Sequence, residues 1–318
     1  AADMHGFLVM PCRAHTDADA DFAVCCAVPV DAEGVTVVAR PAGRPGEPAA
    51  IFSGRYGQST GVVIFDDVLV PHERVFLAGE HEESGFLTTA YATHHRHSCI
   101  GARAGFGDLL IGAGALMIEA NGLDPERHGH ISDAMVDLIT ITESFYACGV
   151  AASVYCAADP AGNVMPDTVF SNIGKLLLAT KIYDMHKLAH YVSGGLIVAL
   201  PGPDEDHNPE TKASLAAVLG GRADIPAEQR LAVSRLIEDL TVSHQAGWYS
   251  VISLHGGGSP EAMKREIWRN YPVMEKAELV ATMLDRGIAA DGRRVSKQPG
   301  RCCATGCEVP PESSTAAD

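Results

Sequence analysis

The sequence predicts an α+β protein, a small antiparallel β domain followed by an antiparallel helical bundle. Two observations carry this. Residues 5–78 hold short apolar runs of strand length, separated by Gly, Pro and Asp turns. Residues 85–288 hold long apolar-rich segments whose breaks carry helix-stop and helix-start residues. The expected division is a β domain over 1–80, incomplete at its N-terminus, a bundle over 81–290 and a flexible tail over 291–318.

In chain order, Met4–Met10 is an apolar run stopped by Pro11, so the chain reads as beginning inside a domain. Phe22–Val30 (FAVCCAVPV) reads as a continuous strand, and Gly34–Arg40 (GVTVVAR) follows at hairpin spacing. Gly61–Phe65 supplies another strand. Asp17, Asp19 and Asp21 read as a solvated connection, and Pro41–Pro48 as a Gly/Pro loop. Helical segments follow at Phe86–Ala120, Ile131–Ala157, Val169–Tyr191, Ala227–Leu254 and Pro260–Leu284. Asn121-Gly122, Asp159-Pro160, Gly194-Gly195 and Gly256-Gly257-Gly258 mark the breaks. Ser259 offers a capping hydroxyl, Pro260 suits the first helical position, and Glu261 sits at the positive helix end.

With 318 residues and 47% hydrophobic side chains there is material for about two packed domains, which excludes wholesale disorder. Asp plus Glu outnumber Lys plus Arg by 40 to 24, a formal charge of −16. That balance argues against a nucleic-acid partner and against a polybasic membrane patch. No uncharged apolar run reaches the roughly 18 residues of a membrane span, and no leader peptide is visible, so no membrane association is expected. The nine cysteines lack the spacing of a disulfide framework and read as free thiols in a reducing, cytoplasmic setting. Cys302, Cys303 and Cys307 belong to the tail and lack a second ligand pair for zinc.

The chemically distinctive stretch is His94-His95-Arg96-His97-Ser98-Cys99. On a helix, His95 and Cys99 are four apart and share a face, and imidazole and thiol can ligate metal or move a proton. A polar helix start accounts for the same pattern. Gly101, Gly105, Gly107, Gly112 and Gly114 follow within one helix, each at a cost of up to about 1 kcal/mol relative to Ala. Close approach of another helix or of a flat ligand would offset that cost, and both readings stay open.

His95–Asp108 (HRHSCIGARAGFGD), Tyr146-Ala147-Cys148-Gly149 and Asn172-Ile173-Gly174-Lys175 stand in order with Ser193-Gly194-Gly195-Leu196, Pro201 and Leu254-His255-Gly256-Gly257-Gly258-Ser259-Pro260. Together they resemble the 4-hydroxybutyryl-CoA dehydratase (vinylacetyl-CoA isomerase) branch of the 4-hydroxyphenylacetate 3-hydroxylase flavoprotein superfamily. Phe65-Asp66-Asp67-Val68, Val70-Pro71 and Arg74-Val75-Phe76 are similar to that family's exit from its middle domain. The resemblance implies an acyl-CoA-dehydrogenase-like fold of an N-terminal helical, a middle β and a C-terminal helical domain, assembled as a homotetramer with FAD. This chain would supply the last two parts.

Carried over residue by residue, the resemblance is mixed. His95 matches the histidine that, in the dehydratase branch, ligates an iron–sulfur cluster, but the cysteine ligand position falls on Ala102. The family's catalytic tyrosine falls on Cys99 and its catalytic glutamate on Ile252. His95 and Cys99 are therefore the catalytic candidates, with no metal expected unless the two retain a cluster between them. Gly194 and Gly195 match the place where a bare backbone approaches FAD, although a helix C-cap also favours Gly. Asn172 and Lys175 are candidates to reach a cofactor phosphate or ribose, and each fits a solvated helix face as well; Trp248 and Trp268 read as packing residues.

Three functions fit. The first is a flavoenzyme that dehydrates or isomerises a CoA thioester, with His95 moving the proton. The second is a two-component hydroxylase of a phenolic acid that uses reduced FAD and needs no metal. The third is an inactive fragment that serves as a packing subunit. The bundle helices are apolar around much of their circumference, for example at Leu109–Ile118, which predicts a homo-oligomer.

Overall fold

The computed structural model describes residues 4–41, 51–159 and 161–284. The tail after 290, and all of the expected Pro41–Pro48 loop except Pro41, lie outside them. The architecture is α+β. Its β part contains β1 (Gly6–Val9), β2 (Val24–Pro29), β3 (Val35–Arg40), the one-turn helix α1 (Ser53–Tyr56), β4 (Thr60–Phe65) and β5 (Val75–Ala78).

These strands do not pair as hairpin spacing suggests. β2 is the centre of an antiparallel sheet ordered β1-β2-β5, while β3 pairs with β4 in a separate ribbon. The burial pattern explains the split. β2 buries Cys25, Cys26 and Val28 and has both edges occupied, whereas β3 buries none of its residues fully and exposes Thr36, Val38 and Ala39. Gly34 between them has φ 85°, and its carbonyl accepts from Asp66 N, which ties the start of β3 to the end of β4. The acidic run is likewise more ordered than a solvated loop. Asp17–Phe22 is a 3-10 turn, and the Asp19 carboxylate accepts from Thr16 Oγ1 (3.1 Å) and Arg13 Nη1 (3.2 Å).

The helical part follows. It comprises α2 (His81–Ala120), α3 (Gly129–Val154), the small ribbon β6 (Ala157–Ala158) and β7 (Val164–Met165), then α4 (Thr168–Ser193) and α5 (Lys212–Leu219). α6 (Ala227–Thr241), α7 (His244–His255), α8 (Pro260–Asn270) and α9 (Val273–Met283) complete it. The helix expected over Ala227–Leu254 is two helices, because Ser243 caps α7 by accepting from Ala246 N (3.1 Å). The helix expected over Pro260–Leu284 breaks at Pro272, which has no N–H to donate. α5 is an element that the apolar periodicity did not announce.

Helices α2, α3 and α4 build the core through Ile100, Leu110 and Met117, Leu138 and Phe145, and Leu178 and Ile182. Each fully buried side chain of this kind contributes about 2 kcal/mol. α2 and α3 are long and apolar enough to cross a bilayer by composition alone, but their apolar stripes meet one another in this core. Ile100 sets the spacing. A Cβ at Gly174 of α4 would stand 2.5 Å from Ile100 Cδ1, and one at Gly149 of α3 would stand 2.8 Å from Ile100 Cγ2. Two of the motifs that carry the family resemblance are thus the notches that let α3 and α4 close on α2. Buried Asp239 of α6 fastens the β part, accepting from Phe52 N, Ser53 N and Ser53 Oγ at 2.8, 2.8 and 2.6 Å.

Candidate functional site

Successive residues of a helix point about 100° apart, so the four residues His94–His97 face four directions. His94 Nε2 lies 3.1 Å from Met165 Sδ of β7, and His97 Nε2 hydrogen-bonds Gly149 O of α3 at 3.1 Å. His95 turns to its own helix, with Nδ1 3.4 Å from Cys99 Sγ. Arg96 is buried and spans two elements. Its Nε donates to Gly257 O and its Nη1 to Asn172 Oδ1, both at 2.8 Å.

α4 and α7 complete the cluster. Lys175, fully buried, donates from Nζ to Ser253 O in the last turn of α7, where carbonyls run out of helical partners. Arg103 Nε donates to Ser253 Oγ (2.8 Å), and its guanidinium lies 4.8 Å from the centroid of the Tyr249 ring. The Gly256–Gly258 turn closes over the imidazole. Gly257 and Gly258 have φ 77° and 102°, and a Cβ on Gly257 would stand 2.8 Å from His95 Nδ1. Glycine is required there twice, by conformation and by approach.

The charges respond to burial. Desolvation, with the nearby Lys175 and Arg96 charges, lowers the His95 pKa, so its imidazole is held neutral. Burial raises the Cys99 thiol, opposed by Lys175 and Arg103. Burial brings Lys175 down to about 8 and lowers Arg96 and Arg103. The arrangement therefore holds a neutral thiol–imidazole pair, able to pass one proton between Sγ and Nδ1, beside three cationic side chains.

Of the residues singled out from the sequence, His95, Cys99, Asn172 and Lys175 come together. Asn172 and Lys175 are turned inward, engaged with Arg96 and Ser253. Gly194 and Gly195 are not with them; Lys175 and Gly194 are separated by about 28 Å of helical rise along α4. Both glycines have φ 75°, Gly194 as the C-cap of α4, and among the described residues nothing beyond the adjoining chain lies within 4 Å of the place a Cβ would occupy. Among the described residues no three His, Cys, Asp or Glu side chains gather as a metal-ligand set. His95 and Cys99 supply two donors and Ala102 none, which does not fit a cluster held by these residues alone. Arg96, Arg103, Tyr249 and Ser253 were not anticipated. Arg96, Cys99 and Arg103 have i, i+3, i+7 spacing, and that stripe of charge on one helix face is the signal in the sequence that points to them.

A second polar feature lies on the far half of α4. His186 and His190 line a cavity of about 430 Å³ with Tyr183, Thr241, Val242 and Ser250. His190 Nε2 pairs with Thr241 Oγ1 at 2.8 Å, whereas buried His186 Nε2 has no hydrogen-bond partner among the described residues.

A family sequence model described as 4-hydroxyphenylacetate 3-hydroxylase C terminal matches residues 84–285, and one described as 4-hydroxyphenylacetate 3-hydroxylase N terminal matches residues 1–77. The 4-hydroxybutyryl-CoA dehydratase/vinylacetyl-CoA-Δ-isomerase of Clostridium aminobutyricum is 32% identical over 290 residues, 86% of this chain and 59% of the relative. A solved oxygen-tolerant archaeal 4-hydroxybutyryl-CoA dehydratase from N. maritimus superposes with a TM-score of 0.83 at 30% identity. The match covers 90% of this chain and 57% of that one. The oxygenase component of 4-hydroxyphenylacetate 3-monooxygenase, solved with FAD and 4-hydroxyphenylacetate, shares the fold. It gives a TM-score of 0.79 at 23% identity over 88% of this chain and 59% of that one. The chain thus spans less than two thirds of the length of these relatives.

Proposed function

The chain belongs to the 4-hydroxyphenylacetate 3-hydroxylase family, and from that premise we propose that it forms the middle (1–80) and C-terminal (81–290) parts of an acyl-CoA-dehydrogenase-like flavoenzyme. The reaction is a dehydration or double-bond isomerisation of a CoA thioester. The observation that carries this is the contact between His95 Nδ1 and Cys99 Sγ beneath the Gly257 turn, in a chain 32% identical to a 4-hydroxybutyryl-CoA dehydratase.

The left-handed, uncovered backbone at Gly194-Gly195 fits the close approach of a flat cofactor, and these residues would hold FAD. When bound, FAD supplies the electron-transfer chemistry that removal of an unactivated proton requires. This chain's own part is acid–base. His95, neutral, accepts or returns a proton at a ring nitrogen; Cys99, in contact with Nδ1, shares it. Lys175 and Arg103 favour negative charge as it develops nearby. No step is routed through an iron–sulfur cluster, since Ala102 offers no ligand atom.

The alternative is a two-component hydroxylase of a phenolic acid working with reduced FAD. Ala102 and Ile252, which replace a ligand and an acid of the dehydratase branch, favour it. The six free cysteines among the described residues suit a reducing compartment, and we place the protein in the cytoplasm. The exposed apolar residues Val136, Ile139 and Val150 of α3, with Leu109 and Leu116 of α2, support a homo-oligomer. Visible absorption of the purified protein tests for bound flavin, and a chain without it that also stays inactive with added reduced FAD would be a packing subunit. Product analysis with 4-hydroxybutyryl-CoA and with 4-hydroxyphenylacetate plus reduced FAD separates the two reactions. Stoichiometric iron lost in Cys99→Ala would overturn the cluster-free reading.

A further inference from the structure

Arg96, Arg103 and Lys175 bring three positive charges to one largely buried place, and among the described residues none of them forms an ion pair. Every partner they do have is neutral: Gly257 O, Asn172 Oδ1, Ser253 O, Ser253 Oγ and the Tyr249 ring. The acid that acts on Arg96 is Glu266, which is bound to Arg269 at 2.8 Å. The C-terminus of α7 offers a fractional negative charge of about one half, far short of three. His95, Cys99 and Tyr249 bring no counter-charge in their neutral forms, and Asp239, which acts on Tyr249, is engaged by Phe52 and Ser53. In a chain of formal charge −16, this place is a concentrated exception.

Buried charges without a counter-ion are destabilising, and an anion that enters relieves them. The arrangement also selects the anion's shape. Arg103 has Nε committed to Ser253 Oγ and its Cζ 4.8 Å from the centroid of the Tyr249 ring, and the two contacts together orient its fork. Its two Nη nitrogens make no hydrogen bond among the described residues. A fixed guanidinium with both Nη free matches the two coplanar oxygens of a carboxylate.

We infer that Arg103 and Lys175, backed by Arg96, form a binding site for a small carboxylate, received bidentately on the Arg103 fork beside Cys99. That this carboxylate belongs to the substrate rests on the phenolic-acid hydroxylase reading above, because the acyl group of a CoA thioester carries no free carboxylate; that the cluster binds a carboxylate rests on neither reading.

Thermal unfolding of the full chain, followed by circular dichroism at neutral pH, tests it. Butyrate or succinate is titrated against sodium chloride at equal ionic strength, with sulfate as a third series. The expected result is a saturable rise in Tm with the carboxylates beyond that in chloride, as binding to the folded state requires. Lys175→Met replaces the ammonium with an apolar side chain of similar length, and Arg103→Lys keeps the charge but removes the fork. Both should weaken the apparent affinity at least tenfold. An equal rise in wild type and Lys175→Met, or no saturable rise in wild type, would overturn the site. A sulfate response stronger than the carboxylate response would overturn the assignment to carboxylate. Flavin absorbance of the same preparations reports the other reading separately. A flavin-free chain with a saturable carboxylate response breaks the proposed enzyme and keeps this site, and a flavin-loaded chain without the response does the reverse.

Discussion

The two halves of α4 bury basic side chains in opposite ways. Near its start, Lys175 keeps a partner, the Ser253 carbonyl at the negative end of α7, and its pKa falls only to about 8. Further along, His186 meets the rings of Phe106 and Tyr183, its Nε2 has no partner among the described residues, and burial brings its pKa to about 4. One helix thus holds a base that stays charged at neutral pH and a base that gives its charge up. The difference lies in what the neighbouring elements present: the end of a helix in the first case, aromatic rings in the second. A buried base finds an acceptor or loses its proton.

The largest expected effect breaks the charged half. Between pH 8 and 10.5 the unfolded chain holds the Lys175 proton and the folded chain does not, so Lys175 makes stability rise with pH across that window. The drop in pKa from 10.5 to about 8 is worth about 3 kcal/mol. Urea denaturation should show any advantage of Lys175→Met over wild type at pH 7.5 shrinking by that amount at pH 10.5. A constant gap would mean that the Ser253 carbonyl and the α7 terminus offset burial completely.

Asn172→Leu removes the acceptor of Arg96 Nη1 and should cost about 2 kcal/mol in the same assay. An unchanged midpoint would show that Gly257 O alone holds the guanidinium. The neutral half responds to acid. As pH falls below 6.5 the unfolded chain takes up the His186 proton first, so stability is lost progressively toward pH 4. By pH 5 the loss is about 2 kcal/mol in wild type. His186→Gln should abolish that increment, and an identical acid profile would assign it to other groups. The smallest effect is at Tyr249→Phe. Its hydroxyl reaches Tyr56 O at only 3.5 Å, the ring under Arg103 is retained, and the change should stay below about 0.5 kcal/mol.

Legibility followed range along the chain. The His95–Cys99 contact is a spacing of four on one helix, so the sequence alone announces it. The same rule applied to Arg96 and Arg103 reveals their shared stripe but says nothing of what covers it. Lys175 looked like a solvated side chain or a cofactor contact, because its partner lies 78 residues away on another helix. Hairpin spacing misled at β2 and β3 for a related reason: turn residues fix that a chain reverses, but burial on both edges of β2 decides which strands pair with it.

What the sequence by itself determined is the class of fold, a β part then long helices, and the shared face that brings His95 against Cys99 on α2. Apolar period and residue spacing are properties of a single segment, and they survive whatever that segment packs against. Only the tertiary structure decided that Gly149 and Gly174 admit Ile100, that the Gly257 turn closes over His95, and that three cationic side chains converge with no ion pair among the described residues. Charge balance and close approach are properties of pairs of elements. They come into being when helices distant in the chain pack within contact distance.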